Sequence, residues 1–497
     1  MIKRRFILMI LILCLAFSMF APCASAVSAP ELNAKAAMVV DLGSDTIIYE
    51  LNKDEERAPA SLTKIMTVLL ALEAIDRGDI TMSDMVTAQS DCRDGLGEDS
   101  SSSGILPGIT LSMKDLLYCT LLQSANEAGN IIASYISGSI NAFVQAMNDK
   151  AAELGCTHTH FVNTNGLPAE GHYSSCYDLY LITRAALNYP LFMEICNCTS
   201  YQADCPDVNN GYPLSNSNAL ISAGSIYGSD YLYEFASGIK TGYTRAAGYC
   251  LISTAKKGNM NLFSVVMGCD GQLNSDSDKY HNFIDSSTLY DWSFENFSYR
   301  TIVSQAEQVC NVEVALAEDG KTAALRPMSD MSVLMSNDMP NSDIVRKVTV
   351  YEDRLVAPIS AGTVLGEMQL SSGNVIFGTV RLVNSADIAL SKTAYIKQRI
   401  GEILDKGWVK AVLIIIAVFL LLYIVLVLRY RRLRQKHLKE RRRAEAMRRQ
   451  EKERLRRQLN GSDRSGRRGA APEEDDDDDF LVHFDFGAEE DDDGYED

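Results

Sequence analysis

Three short motifs lie in fixed order along the 497-residue chain: Ser61-Leu62-Thr63-Lys64, Ser124-Ala125-Asn126 and Lys240-Thr241-Gly242. They make chemical sense only if the fold brings positions 61, 124 and 240 into one cleft. Together they supply a nucleophile, a base, a second hydroxyl and a cationic clamp for an anion. Those are the parts needed for acyl transfer through a serine ester. Each triplet alone is a weak signal. Ser-x-x-Lys returns at Ser253–Lys256, in a strand-like stretch where an odd offset puts the two side chains on opposite faces. Ser-x-Asn returns at Ser372-Gly373-Asn374, and Lys-Thr at Lys321 and Lys392, each followed by Ala. Order and context therefore carry the inference.

Ser61 and Lys64 are one helical turn apart, so both lie on one face and can touch. A helical pattern runs from Ile65 to Ile75 with Pro59 just ahead, which puts the serine at a helix N-terminus, where N–H groups favour developing negative charge. A lysine acts as a base only once it has lost its proton. Bringing it from its free value to near neutrality costs about 4 kcal/mol. Burial supplies part of this, and a second lysine in the cleft supplies more by like-charge repulsion; Lys240 is the candidate.

Ala36–Val40 and Thr46–Glu50 read as strands joined at Gly43-Ser44, and Tyr249–Ala255 with Asn261–Met267 as a hairpin. Helical patterns cover Met113–Leu122, Ala128–Ile136, Ile140–Leu154, Asp178–Leu187 and Asp278–Phe294. This predicts an α+β unit over residues 27–298, a helical body combined with an antiparallel sheet. Residues 301–390 alternate like strands, with turns at Asp319-Gly320 and Ser372–Asn374, and predict a small all-β domain without a catalytic cluster. Ile388–Lys406 predicts a helix, so that residues 391–407 form a linker.

The net charge of -18 hides two ends of opposite character. Residues 1–26 start with Lys3, Arg4 and Arg5, continue through apolar Phe6–Phe20 and end at Ala24-Ser25-Ala26: a secretory signal peptide. Residues 408–428 predict a transmembrane helix, and the basic segment 429–468 directly after it places that side in the cytoplasm. The catalytic part is then extracellular, tethered to the cell membrane by a single span. The basic segment reads as helical over 429–460, solvated and partly disordered, and drawn to anionic headgroups, and the acidic tail 469–497 as disordered. Phe480, Leu481, Val482, Phe484 and Phe486 in the tail could dock a cytoplasmic protein partner. The exported part carries about twenty more acids than bases, which argues against nucleic acid as a ligand. Export permits disulfides, and Cys196, Cys198 and Cys205 are near enough in sequence to pair. Cys119, Cys250 and Cys269 sit in apolar runs and read as small buried hydrophobes. His158-Thr159-His160 is the nearest approach to a metal motif and falls short of one, so no metal or other cofactor is expected.

Longer stretches carry a resemblance. Ala58–Thr67, Asp115–Tyr118 leading to Leu122–Asn126, Phe161–Leu167 followed by His172–Ser175 and Asp178, and Gly238–Thr244 with Ala247–Cys250 are similar to the low-molecular-mass penicillin-binding proteins. These are serine-type D-alanyl-D-alanine carboxypeptidases. The likeness covers about 30–295 and implies a penicillin-binding/β-lactamase-like transpeptidase domain. It implies Ser61 as the acylated nucleophile, Lys64 as its base, Ser124 as a proton relay and Asn126 as a holder of the substrate amide. Lys240 and Thr241 would bind the terminal carboxylate of a peptidoglycan stem peptide ending in D-Ala-D-Ala, or of a β-lactam inhibitor. Gly242 would let substrate lie on the strand edge. The backbone N–H groups of Ser61 and Tyr243 would form the oxyanion hole. Ala125 replaces a glycine of many relatives, and the membrane span replaces their amphipathic helix.

Three alternatives stay open at this point: a β-lactamase or a D,D-endopeptidase on the same scaffold, and a membrane-anchored scaffold acting through its cytoplasmic tail. Against the β-lactamase, Glu170 is followed by Gly171-His172-Tyr173 rather than by the Leu-Asn setting that activates deacylating water.

Overall fold

The computed structural model describes residues 28–459 apart from Glu98, Asp99 and Asp276. Residues 1–26, read above as a signal peptide, and the acidic segment 469–497 lie outside the described residues. Two compact units divide the chain after Lys392.

The centre of the first unit is a five-stranded antiparallel sheet. Its strands are β1 (Ala36–Asp41), β2 (Thr46–Leu51), β3 (Ala236–Thr244), β4 (Gly248–Lys257) and β5 (Met260–Cys269), in the order β2-β1-β5-β4-β3. β1 pairs with β5, Val39 opposite Ser264, so the first hairpin joins a meander nearly two hundred residues later. Both faces of the sheet are covered. Ala36, Met38 and Val40 point into a core shared with the helical body, while Ala37 and Val39 point into a second core that includes Phe283 and Tyr290. Burial on both faces explains why β1 reads as an unbroken apolar run rather than an alternation.

The helices are α1 (Lys64–Asp76), α2 (Met113–Leu121), α3 (Asn126–Ser137), α4 (Ile140–Glu153), α5 (Cys176–Ala186), α6 (Pro190–Asn197) and α7 (His281–Asn296). Ser112, Ser139 and Ser175 cap α2, α4 and α5 by accepting a backbone N–H two residues into each helix. α1 is apolar on all sides, with Ile65, Met66, Val68, Leu69, Ala71 and Leu72 buried. Such a helix belongs in a core. Its burial carries its first residue, Lys64, into the interior. Two features differ from the sequence pattern. The closing helix begins at His281 rather than Asp278, and α6, opened by Pro190 at its first position, is an additional helix.

The all-β domain comprises β6 (Phe297–Val303), β7 (Cys310–Ala315), β8 (Thr322–Pro327), β9 (Met331–Ser336), β10 (Val345–Val350), β11 (Leu355–Val356), β12 (Val364–Ser372) and β13 (Val375–Asn384). Six strands run in the order β10-β12-β13-β8-β7-β11, and β6 pairs with β9. Leu325, Met368, Leu370 and Leu382 share one core with Val303 and Met335 of the β6–β9 pair. Leu334 of β9 instead enters the core around α7, and the Tyr299 hydroxyl donates to Asp41 of β1.

The second unit consists of α8 (Lys392–Leu404) and α9 (Gly407–Leu459). The predicted helix from Ile388 starts later, because Ile388 bridges to Ile359 of the β domain. The most apolar 18-residue window of α9 has a mean hydropathy of 3.5 and no protein cover. One long apolar C-terminal helix is thus long enough to cross a membrane. The basic stretch, partly disordered by its composition, continues the same helix to Leu459. Its Arg, Lys, Glu, Gln and Ala are good helix formers, which outweighs its polarity.

Candidate active site

A tight turn sets the nucleophile. Ala60–Thr63 forms a 3-10 turn ahead of α1, and buried Ala60 holds a left-handed φ of 48°, an unfavourable conformation for a residue with a Cβ. Ser61 therefore stands in the turn, with Lys64 opening the helix. Lys64 Nζ lies 2.9 Å from Ser61 Oγ, 2.6 Å from Asn126 Oδ1 and 2.8 Å from the Asn165 carbonyl. An ammonium donates to all three. A neutral amine keeps two donors for Asn126 and Asn165 and turns its lone pair to the Ser61 hydroxyl. Burial holds the Lys64 ammonium well below the usual lysine range; the charge of Lys240 pushes the same way and Glu127 opposes.

Ser124 sits between α2 and α3 with a φ of 61°, and its buried hydroxyl has no hydrogen-bond partner among the described residues. Asn126 begins α3 and fixes Lys64 from one side. The segment 161–167 fixes it from the other. Thr67 donates to the Thr164 carbonyl at 2.6 Å, Thr164 donates to Asn130, and Gly166 N–H donates to Asn163 at 2.7 Å. A Cβ on Gly166 would lie 1.7 Å from the Ala60 carbonyl oxygen, and its φ is 89°, so only glycine lets this segment reach the nucleophile turn. Behind the turn, His172 Nδ1 accepts from Val162 N–H and its Nε2 lies 3.0 Å from Thr63 Oγ1, which makes Nε2 the protonated nitrogen. Burial, with a smaller push from His160, lowers the His172 pKa to about 4.

β3 supplies the third motif. Lys240 is buried and donates to the Thr241 carbonyl at 3.0 Å. Burial lowers its pKa to about 7, against a smaller opposing effect of Cys196. The Thr241 and Ser217 hydroxyls are 2.6 Å apart. Tyr243 stacks on Tyr249 with ring centroids 4.3 Å apart. Gly242 lines the cleft and also faces the nucleophile turn. A Cβ there would meet Ser61 N at 3.1 Å, Ala60 Cβ at 3.2 Å and the Pro59 carbonyl at 3.3 Å. The glycine thus makes room for the nucleophile turn itself.

A cleft of about 650 Å³ brings together Ser61, Ser124, Asn126, Thr241, Gly242 and Tyr243. Lys64 and Lys240 stand behind this lining, where their charge acts through the groups in front. Ser217, the Asn165 carbonyl and Glu127 also belong to the constellation, yet no motif marks Ser217 or Glu127. Asn165 lies within Phe161–Leu167, but no pattern in that stretch reveals that its carbonyl is the working atom. Among the described residues no group of three or more His, Cys, Asp or Glu side chains is arranged to hold a metal. All ten cysteines of the described residues, Cys196, Cys198 and Cys205 among them, are free thiols.

Residues 23–271 match the family described as D-alanyl-D-alanine carboxypeptidase, Peptidase_S11. The chain belongs to the D-alanyl-D-alanine carboxypeptidase family. Residues 297–389 match the penicillin-binding protein 5 C-terminal domain, which accounts for the all-β domain. The chain is 31% identical over 372 residues to the D-alanyl-D-alanine carboxypeptidase DacF of Bacillus subtilis, covering 74% of this chain and 90% of that one. It is 30% identical over 273 residues to a D-alanyl-D-alanine endopeptidase of Escherichia coli, covering 54% of this chain and 80% of that one. Penicillin-binding protein 5 of Haemophilus influenzae superposes with a TM-score of 0.55 at 26% identity, covering 73% of this chain and all of that one. The serine-type hydrolase identity of the family member and its α+β fold with a C-terminal β domain rest on these matches together.

Proposed function

We propose that this carboxypeptidase removes the terminal D-Ala from peptidoglycan pentapeptide stems through an acyl-serine at Ser61, and that β-lactams trap the same serine. The observation that carries the reading is the 2.9 Å contact between a fully buried Lys64 Nζ and Ser61 Oγ. Neutral Lys64 takes the Ser61 proton as Oγ attacks the carbonyl of the penultimate D-Ala. The N–H groups of Ser61 and Tyr243 receive the oxyanion. The C–N bond then breaks, and the leaving D-Ala amine takes a proton that Ser124, whose hydroxyl is uncommitted, can pass on from Lys64. Water, deprotonated by Lys64, hydrolyses the ester. Thr241 and Ser217 would meet the substrate carboxylate directly, with the charge of Lys240 behind them.

The test is covalent labelling by a fluorescent penicillin, with wild type and S61A side by side. A Ser61-dependent adduct is expected, and its absence from the wild type would overturn the reading. Mass measurement of diacetyl-Lys-D-Ala-D-Ala after incubation should show loss of one alanine. Cleavage of cross-linked peptide alone would point to the endopeptidase instead.

Residues 408–428 would span the membrane, with residues 27–407 outside the cell and the basic helix after the span inside. Residues 1–26 would be the removed signal, and the acidic tail 469–497 would be free to bind a cytoplasmic protein. Protease added to intact cells should remove the catalytic part and spare an epitope at the C-terminus; the converse pattern would reverse this topology.

A further inference from the structure

Glu127 follows Asn126 directly on α3, is fully buried, and has no part in the acyl-transfer steps. Its Oε1 gathers donors from one short segment: Ser102 Oγ at 2.8 Å, Ser103 N–H at 2.7 Å, Gly104 N–H at 3.1 Å and Ile105 N–H at 3.4 Å. Its Oε2 is buried and has no partner among the described residues. The segment so held directly continues a wall of the active site. Ser100 and Ser101 line the cleft, and the Ser101 carbonyl accepts from Asn126 N–H at 3.0 Å. One carboxylate oxygen therefore ties a cleft wall to the residue beside the lysine's own partner. A buried charge costs several kcal/mol unless compensated, so a structural tie alone would be made more cheaply by a neutral amide.

The charged groups acting on Lys64 are Lys240, from β3, and Glu127, from α3; the Ser61 hydroxyl, the Asn126 side chain and the Asn165 carbonyl are its direct hydrogen-bond partners. Around Glu127 itself stand Lys64, the buried thiols of Cys92 and Cys119, and Tyr212. Lys64 is thus held between one cation and one anion on opposite elements. The anion makes the base hold its proton more tightly, and the cation makes it hold less tightly.

We propose that Glu127 is a positioning residue with two separable actions: its carboxylate pins the 102–105 segment, and with it the adjoining Ser100–Ser101 wall of the cleft, and its buried negative charge acts on the base Lys64. The proposal rests on the reading that Ser61 and Lys64 perform acyl transfer. A purely structural residue would have only the first action.

Crossed substitutions separate the two. E127Q removes the charge and keeps an oxygen for the segment's donors; E127D keeps the charge and draws it back from them. The readouts are the rate of acylation by a fluorescent penicillin across pH, and KM for diacetyl-Lys-D-Ala-D-Ala. In E127Q the acid limb of the acylation profile should move to lower pH by on the order of one pH unit, the scale on which a neighbouring opposite charge acts. In E127D the limb should stay and KM should rise about tenfold, the loss of one hydrogen bond to a charged group. S102A, on the partly exposed side of the tie, should raise KM about threefold without moving the limb. An unmoved limb in E127Q, or unchanged KM in both E127D and S102A, overturns the proposal. If E127Q does not fold, the shorter neutral E127N is read in its place: a limb at lower pH supports the proposal, and a fixed limb, the outcome of a purely structural residue, overturns it. Failure of the wild type to take the label would instead sink the acyl-transfer reading beneath it.

Discussion

Between Ala36 and Asn296 the interior holds Lys64, Lys240, Glu127, Asp178 and His172, each at most 6% exposed. Between Phe297 and Leu390, Asn384 is the sole buried polar side chain among the described residues. The two regions share one chain and one solvent, so the difference reports what each interior is for. Burying an ion costs several kcal/mol and is kept where partners compensate or where the charge is used. Lys64, Lys240 and Glu127 each have hydrogen-bond partners that fix their direction. The β domain closes instead on Ala323, Leu325, Met368 and Leu382, all fully buried and all apolar.

If that contrast is right, the largest effect belongs to the buried base. K64A should slow acylation by a fluorescent penicillin about 10²- to 10⁴-fold, the range of a lost general base. A loss of about tenfold or less would mean that another group takes the proton. A core truncation in the other region should do the reverse. L382A is expected to destabilise the β domain by about 2–5 kcal/mol. It should leave the acylation rate of the folded protein unchanged, as read by calorimetry and labelling on one sample. A rate that falls with stability would show the β domain to be part of the machinery.

Next in size is a pH effect on stability. His172 is neutral in the fold, with a pKa lowered to about 4, whereas in the unfolded chain it takes a proton at about 6.5. The unfolded state therefore binds the proton first as pH falls. Its share of the stability is intact above about pH 6.5 and declines by about 3 kcal/mol on the way to about pH 4. Denaturant midpoints should fall over this window in the wild type and fall less in H172Q. Equal slopes in the two proteins would disprove the assignment.

The contrast also explains which parts of the molecule are legible in the amino-acid sequence. The β domain is legible as alternating strands because its interior obeys one rule, apolar inward. The helical body is legible for the same reason, down to α1 and its apolar run. Ser61, Lys64, Ser124, Asn126, Lys240 and Thr241 are legible because their spacing encodes chemistry. Glu127 and Ser217 are not, because a single acid or serine has no period and no motif. Their roles arise from contacts to segments 22–25 and 24 residues away, respectively. At Gly242 the structure adds a close approach that no motif shows, to the turn Pro59–Ser61, a pairing set by tertiary packing alone. The basic stretch 429–459 is legible as helix because its residues are good helix formers, even though its composition alone reports only solvation.

The smallest effect is the finest test of how the catalytic interior uses its charges. Lys240 and Glu127 act on Lys64 with opposite sign. K240Q removes the cation, so Lys64 should keep its proton to higher pH and the acid limb of acylation should move up by about one pH unit. K240R keeps the charge and should leave the limb in place, even if the anion site is disturbed and KM rises. Lys64 and Lys240 act on one another, so the limb belongs to the pair rather than to Lys64 alone. Coupling changes the size of each displacement but not its sign. Limbs that move in opposite directions in K240Q and E127Q would therefore establish that the base is balanced between a buried cation and a buried anion, a balance for which the apolar interior of the β domain has no counterpart.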